Sequence, residues 1–595
     1  MSGRCHPALG WVAFRVFREV HVGTQIAVVA GYFVVLLGIG LAARARARRG
    51  LEDYFVASRT TPTLILFLTM AATNFSAFTV FGFAGAGWEA GYAYYPIMAF
   101  GTGFMALTFL LIGLPAWRLG KKHGLITPPE LVYHLTGSSA LRLLFFVVMT
   151  VFTIPYLAMQ PMAAGYALQT LLGIPYFAGA ALITAVMLLY TFLGGFRGVS
   201  WTDALQGGMM VGLLVVAVAF IAGQFGGLTT ANRAVAASVP ELFSRPGLGG
   251  LYTPGIWLGY MLLWFLADPM FPQLFQRFYA GRGPRAVSTT VALYPLLTGF
   301  LFLLPVTIGV LGRLSFPVLP DGVASDQILP LMLHAHAPAV VEALVLTAAL
   351  AALMSTLDSQ LLTLSSMFTH DIVQPLWTRF ARQPVAPKGK AETGRSLPPW
   401  IGKAFVVLLA LIGLAIAYQP PASFRILATQ AFTGLAVLFP VVIAALYWRR
   451  MTSAAGVISI VVGEALVAAY HFKVLPTFGT LPVIPIVIAS TIVLVLASLL
   501  THSASWRRPS RRCIPLSNRA KLGWASAFCL LFLLGNDAWN WGSGRLSVLG
   551  FPWWVWLFAG LCVLTAVAFW LLARHVGGYE ALADPDEIPD AASEQ

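Results

Sequence analysis

The chain has 595 residues, of which 58% are hydrophobic and only 10% charged, with a mean hydropathy of +0.80. Soluble proteins carry about a quarter charged residues, so this composition excludes a soluble enzyme or binding module and indicates a polytopic membrane protein embedded in a lipid bilayer. The formal charge of +15 does not indicate a nucleic-acid partner, because Lys and Arg collect in short connections between apolar runs, as topology signals do.

A spanning helix needs roughly 20 apolar residues. About fifteen such runs follow one another, at 24–43, 61–83, 93–114, 141–170, 176–193, 203–222, 254–273, 286–312, 337–367, 400–418, 425–447, 453–470, 481–500, 521–536 and 551–573, the fourteenth being short. Alternate connections carry the basic residues: Arg44, Arg46, Arg48 and Arg49, then Arg118, Lys121 and Lys122, then Arg197, then Arg277, Arg282 and Arg285. The series continues through 379–395, Arg449 and Arg450, and 507–521. Basic residues beside helix ends stay cytoplasmic. The expected topology therefore places residues 1–23 outside and an acidic tail, 574–595, in the cytoplasm. The few basic residues at 1–18 lie on the wrong side of this alternation.

Two connections are long, 223–253 outside and 371–399 inside, and no soluble domain of any size is expected. Residues 1–22 lack a long apolar core followed by a small-residue cleavage site, so no removable signal peptide is expected. Cys5, Cys513, Cys529 and Cys562 form no CxxC pair and no ligand spacing, which indicates neither a metal centre nor a disulfide framework.

A strongly polar residue at membrane depth is costly without a partner or water, so it is a functional candidate by default. Four places qualify. In the second run, "MAATNFSAFTVFGFAGAG" sets Asn74 and Ser76 at mid-membrane, followed by Gly82, Gly85 and Gly87. Such a segment either unwinds around a cavity or packs closely against another helix. In the sixth, Thr202 and Asp203 follow Gly194 and Gly195, where N-capping of a new helix is also open. The seventh contains Asp268, Pro269, Pro272 and Gln273, and two prolines three residues apart argue for a broken helix. Interrupted segments in corresponding positions, the second run and the seventh, are a sequence pointer to an inverted-repeat transporter.

The fourth place is "LAALMSTLDSQLLTLSS", Leu350 to Ser366, where Ser355, Ser359, Leu362 and Ser366 share one helical face beside Thr356 and Thr363. Hydroxyls can bond back to carbonyls one turn earlier, which does not account for Asp358. Paired hydroxyls beside the carbonyls of an unwound helix make a neutral, all-oxygen cage suited to a hard monovalent cation.

Together these motifs resemble the sodium/solute symporter family: "DYFVASRT" (Asp53 to Thr60), "AATNFSAF" (Ala71 to Phe78), "GGFRGVSWTDALQ" (Gly194 to Gln206), "PQLFQRFYA" (Pro272 to Ala280) and "AALMSTLDSQLLTLSS" (Ala351 to Ser366) occur in family order. The resemblance covers about residues 25–450 and implies an all-α, leucine-transporter-like 5+5 inverted-repeat core with peripheral helices. Its expected units are a first helix and loop (24–60), one repeat (61–222), an external loop (223–253), the second repeat (254–447) and peripheral helices (448–573). It also implies sodium as the transported coupling ion, held by the carbonyls of Ala72, Phe75 and Ala352 and the hydroxyls of Ser355 and Thr356, with Asp203 on the release path. Asn74 stands where the family's proline transporters carry Asp, and Asp268 stands where sugar and proline transporters are mostly neutral.

The solute cavity is expected to draw on Asn74, Phe75, Phe78, Thr79, Gln160, Trp264 and Asp268. The expected solute is a small carboxylate or amino acid rather than a sugar, taken up by sodium symport across a cell (inner) membrane. Two alternatives are a proton-coupled relative using Asp268 or Asp358, and a membrane sensor without turnover. No enzyme is expected, for there is no HExxH, no nucleophile with an evident base and no phosphate-cradling glycine loop.

Overall fold

Every one of the fifteen apolar runs is helical. The structure, a computed structural model, describes residues 22–46, 51–380, 400–501, 517–542 and 544–575. Most of the expected N-terminal segment, the loop portion 381–399 and the tail from 576 lie outside the described residues. Among the described residues there is no β-strand, only isolated bridges at Thr61 with Gly281 and Leu546 with Pro552.

In chain order, α1 is Val22–Ala45 and α2 is broken into Thr63–Asn74 and a second half, Phe78–Gly82 with Phe83–Ala90. Helix α3 runs through Tyr94–Met105, Phe109–Gly113 and Leu114–His123, and α4 is Ser139–Leu172. A continuous stretch, Tyr176–Gln224, bends at Gly195, whose φ of 54° suits glycine, and gives α5 before the bend and α6 after it. Helix α7 is Pro254–Ala267, a 3₁₀ turn at Asp268–Met270, and Pro272–Ala280. Helix α8 is Pro284–Leu301 with Leu303–Ser315, and α9 is Ala339–Met367, extended through Phe368–Val373 and Gln374–Phe380. The remainder are α10 (Trp400–Tyr418), α11 (Phe424–Ala436 and Phe439–Tyr447), α12 (Ser453–His471), α13 (Val483–Thr501), α14 (Asn518–Leu534) and α15 (Trp553–His575). Eleven stretches are long and apolar enough to cross a membrane, among the described residues.

The breaks in α2 and α7 lie five helices apart, so α2–α6 and α7–α11 form matching halves. The first half of α2 packs against α6, α8 and α9, and the second half of α7 packs against the same part of α2 and against α9. The glycines of α2 serve close approach rather than the break itself. A Cβ on Gly87 would lie 2.4 Å from the Val306 carbonyl oxygen, and one on Gly309 would lie 1.9 Å from that of Ala84, so α2 and α8 touch backbone to backbone.

Helix α15 packs on α8 and α3. Its loop is tied to the connection before α7 by Arg245, a fully buried side chain that forms a bidentate ion pair with Asp537 and donates to the Asn540 carbonyl at 3.2 Å. Trp257, Trp541, Trp554 and Phe558 surround the guanidinium at 5.1–5.8 Å from their ring centroids.

Candidate functional site

The interruption of α2 begins after Asn74, where Phe75 takes φ −89° and ψ 88°. Backbone groups freed inside a membrane protein need replacement partners, and α4 supplies them. The Ala77 amide donates to Gln160 Oε1 at 3.1 Å, and Gln160 Nε2 is anchored on the Tyr156 carbonyl at 2.9 Å. Ser76 Oγ meets Tyr156 OH at 2.6 Å and accepts from the Phe78 amide at 3.1 Å. In an uninterrupted helix the Ala77 amide would bond Thr73 four residues earlier. Its capture by Gln160 leaves the Thr73 carbonyl for another donor.

That donor comes from α9. Thr356 Oγ1 donates to the Thr73 carbonyl at 3.1 Å and lies 3.3 Å from that of Ala352. Ser355 Oγ lies 2.9 Å from the Ala72 carbonyl oxygen and 2.8 Å from that of Ala352. Ala72, Ala352, Ser355 and Thr356 are thus brought together as a neutral cluster of oxygens, fully enclosed by protein. Phe75 sits at the same break, with its ring stacked on Tyr294 and edge-on to Phe302. The Thr73 carbonyl is the cluster member that sequence reasoning missed.

Asp203 lies within α6, well past the bend at Gly195, so the N-cap alternative is overturned. It is fully buried and ion-paired with Arg277 at 2.8 Å, and it accepts hydrogen bonds from Thr69 and, at 3.3 Å, from Thr73. Arg277 also donates to Ser359 at 2.6 Å and to Thr69 at 3.0 Å. Reading Arg277 as a topology signal is therefore corrected: it is fully buried in the second half of α7 and joins α2, α6 and α9 one turn from the Ser355–Thr356 oxygens. The signal that could have found it was its place in the PQLFQRFYA motif. Asp358 accepts from Tyr190 OH of α5 at 2.8 Å, and Thr363 donates to Gln276 at 2.6 Å. The hydroxyl stripe of α9 is accordingly engaged with α2 and α7, and Asp358 with α5, so the stripe is not simply bonded back along its own helix.

On the other side of the break, Asn74 Nδ2 donates to Tyr294 OH at 2.5 Å, and its amide also interacts with the Asp268 carboxyl. Asp268 is buried in the 3₁₀ turn that interrupts α7. Phe78 packs against Trp264 at 6.0 Å and against Tyr156 at 6.4 Å, and Trp264 lies edge-on to Phe432 at 4.7 Å. Thr79 is buried in the turn after Phe78. Asn74, Phe78, Thr79, Trp264 and Asp268 thus cluster around the two breaks. Gln160 reaches the same place, with its amide group bonded to the Ala77 amide and the Tyr156 carbonyl. Tyr156 and Tyr294 were not singled out from the sequence, in which nothing separates them from other buried tyrosines.

The profile of the sodium:solute symporter family matches residues 54–463. The sodium/pantothenate symporter of Haemophilus influenzae is 25% identical over 454 residues, 73% of this chain and 87% of its own length. The sodium/proline symporter of Staphylococcus aureus (strain bovine RF122 / ET3-1) is 25% identical over 500 residues, 80% of this chain and 92% of its own. Among solved structures, a Na⁺-coupled sialic acid symporter in a substrate-bound outward-open state superposes with a TM-score of 0.65 at 19% identity, over 81% of this chain and 99% of that one. That likeness establishes the leucine-transporter-like 5+5 fold, in which the paired breaks of α2 and α7 sit at the centre. The two broken helices, the enclosed oxygen cluster and the family match over more than two thirds of the sequence lead to one conclusion: the chain is a multi-pass membrane protein belonging to the sodium:solute symporter family.

Proposed function

We propose that the protein is a secondary active transporter in which sodium moving inward drives uptake of a small zwitterionic or carboxylate solute. The observation that carries this reading is the meeting of the Ser355 and Thr356 hydroxyls with the Ala72 and Thr73 carbonyls at the break of α2. These oxygens, with Ala352 and Phe75, form the sodium site, and Asp203 with Arg277 lines the route by which the ion leaves. Each sodium falling through the membrane potential contributes about 2.3 kcal/mol per 100 mV. Coupling requires that ion and solute favour the same conformation, and residues 72–75, shared by the ion and solute sides of one break, provide that link.

The N-terminus lies outside and the C-terminus in the cytoplasm of the cell membrane, and the repeats are 61–222 and 254–447. The solute is read at Asn74, Phe78, Thr79, Trp264 and Asp268. A buried carboxyl at the break of α7 favours an amino group on the solute. The relatives named above are described for pantothenate, proline and sialic acid, each of which bears a carboxylate.

Asp268→Asn is expected to raise the solute concentration for half-maximal uptake by about tenfold or more, since a hydrogen bond to a charged group contributes about 1.5–3 kcal/mol. Sodium dependence should stay near wild type. Initial uptake rates against solute and sodium concentration check this, and unchanged solute affinity across pH would return Asp268 to a structural role.

A further inference from the structure

Beyond Trp264, on the side away from the sodium cluster, an aromatic file leads outward through the fold. Tyr260 stacks on Trp264 at 6.1 Å, Tyr252 meets Tyr260 at 5.9 Å, and Tyr94 stacks on Tyr252 at 5.7 Å. Arg425, at the start of α11, faces Tyr252 and Tyr260. Three groups of this neighbourhood are buried without a hydrogen-bond partner: Tyr94 OH, Tyr252 OH and Arg425 Nε. The guanidinium nitrogens only donate, and a carboxylate is an acceptor with about four lone-pair sites. Each buried donor left without an acceptor costs about 1–3 kcal/mol, so a place that gathers three of them is built for a group rich in acceptor oxygens.

The surrounding charge fits an anion that replaces another. Arg425 Nη2 donates to Glu89 Oε2 at 3.3 Å, and Glu89 Oε1 accepts from Ser325 Oγ at 2.6 Å. The neighbouring Asp326 is taken up by the Phe424 amide at 2.9 Å, and burial pushes its carboxyl up to about 7, so it opposes an incoming anion less than an exposed carboxylate would. At about 1.5 Å per residue, Tyr260 stands roughly 12 Å along α7 from Asp268. A small amino acid cannot span both points, so the two places act in series.

We propose that Arg425, Tyr252 and Tyr94 form an outer carboxylate station, and that Glu89 is its internal competitor, holding the guanidinium until a solute carboxylate displaces it. The exchange keeps Arg425 paired throughout, and the solute then passes along the aromatic file until its amino group reaches Asp268. The proposal rests on the transport reading above, for which it names the solute's carboxylate as the first group recognised.

The test uses the full-length protein in lipid nanodiscs and ligand-observed NMR titration with propionate and its neutral counterpart propionamide. Propionate is expected to bind and propionamide to give no saturable signal. Arg425→Gln should weaken propionate binding by about tenfold or more, as loss of a charge-assisted pair requires. Arg425→Lys, which keeps the charge and the fold, should fall between, and Glu89→Gln should tighten binding. Equal binding of acid and amide, absence of propionate binding, or indifference of affinity to both Arg425→Gln and Glu89→Gln would overturn the station. A protein that binds propionate through Arg425 yet accumulates no solute on a sodium gradient would contradict the transport reading and leave the station standing.

Discussion

Replacing both hydroxyls of the ion cluster, Ser355→Ala with Thr356→Ala, is expected to raise the sodium concentration for half-maximal uptake by at least about tenfold. Two oxygens of the cluster are removed outright, and 1.4 kcal/mol, about the worth of one hydrogen bond or a little more, already amounts to a factor of ten. Folding should suffer less than sodium binding. Both hydroxyls lie on α9, whose backbone hydrogen bonds are untouched, and alanine is a better helix former than either residue. Thr356→Ser, which keeps the oxygen and removes a methyl group, should restore most of the sodium affinity. The check is uptake into proteoliposomes as sodium is varied at fixed solute, alongside the amount of monodisperse protein recovered. A double variant with wild-type sodium dependence would remove the ion from this cluster.

The second large effect lies far from the ion. Arg245→Ala is expected to destabilise the folded protein by about 3–5 kcal/mol, because breaking a buried ion pair leaves the other charge, Asp537, stranded among apolar groups. Four aromatic side chains that now pack around the guanidinium lose their centre as well. Replacing both partners, Arg245→Met with Asp537→Leu, should recover much of the loss, since apolar residues of similar volume often substitute for a buried pair at little cost. Thermal unfolding in detergent, followed by size-exclusion, reads both. A single variant as stable as the parent would show that α14 and α15 are held by lipid-facing packing alone. The expected result instead makes these last two helices a clamped part of the fold, fixed to the connection before α7.

The helices were legible in the sequence because a membrane span requires a long apolar run, and each of the fifteen runs is a helix. The break in α7 was legible for a similarly local reason, as Pro269 and Pro272 remove backbone donors. The break in α2 was harder to place. Its glycines, the visible signal, turn out to admit close neighbours, Val306 of α8 at Gly87 and the Ser325–Asp326 turn at Gly85, whereas the interruption at Asn74–Ala77 is held by Gln160 and Tyr156 from α4. Long-range partners of this kind leave no periodic trace. The same limit explains Arg277, whose charge looked like a loop signal because its partners, Asp203, Thr69 and Ser359, are 74 to 208 positions away in the chain. It explains Arg245 too, since a basic residue in the connection before α7 gives no hint of Asp537. Ser355 and Thr356 were legible because hydroxyls on one face of an apolar helix need a reason to be there.

The most direct measurement of sodium coupling is the thermal stability of the purified protein against a panel of amino acids and small carboxylates, with sodium or choline as the only monovalent cation. A ligand that binds the folded state raises its stability by mass action. The expected result is at least one solute that stabilises the protein in sodium and fails to do so in choline. Equal stabilisation in both salts, repeated across pH, would contradict sodium coupling at the binding step and favour a proton-coupled or sensory protein instead.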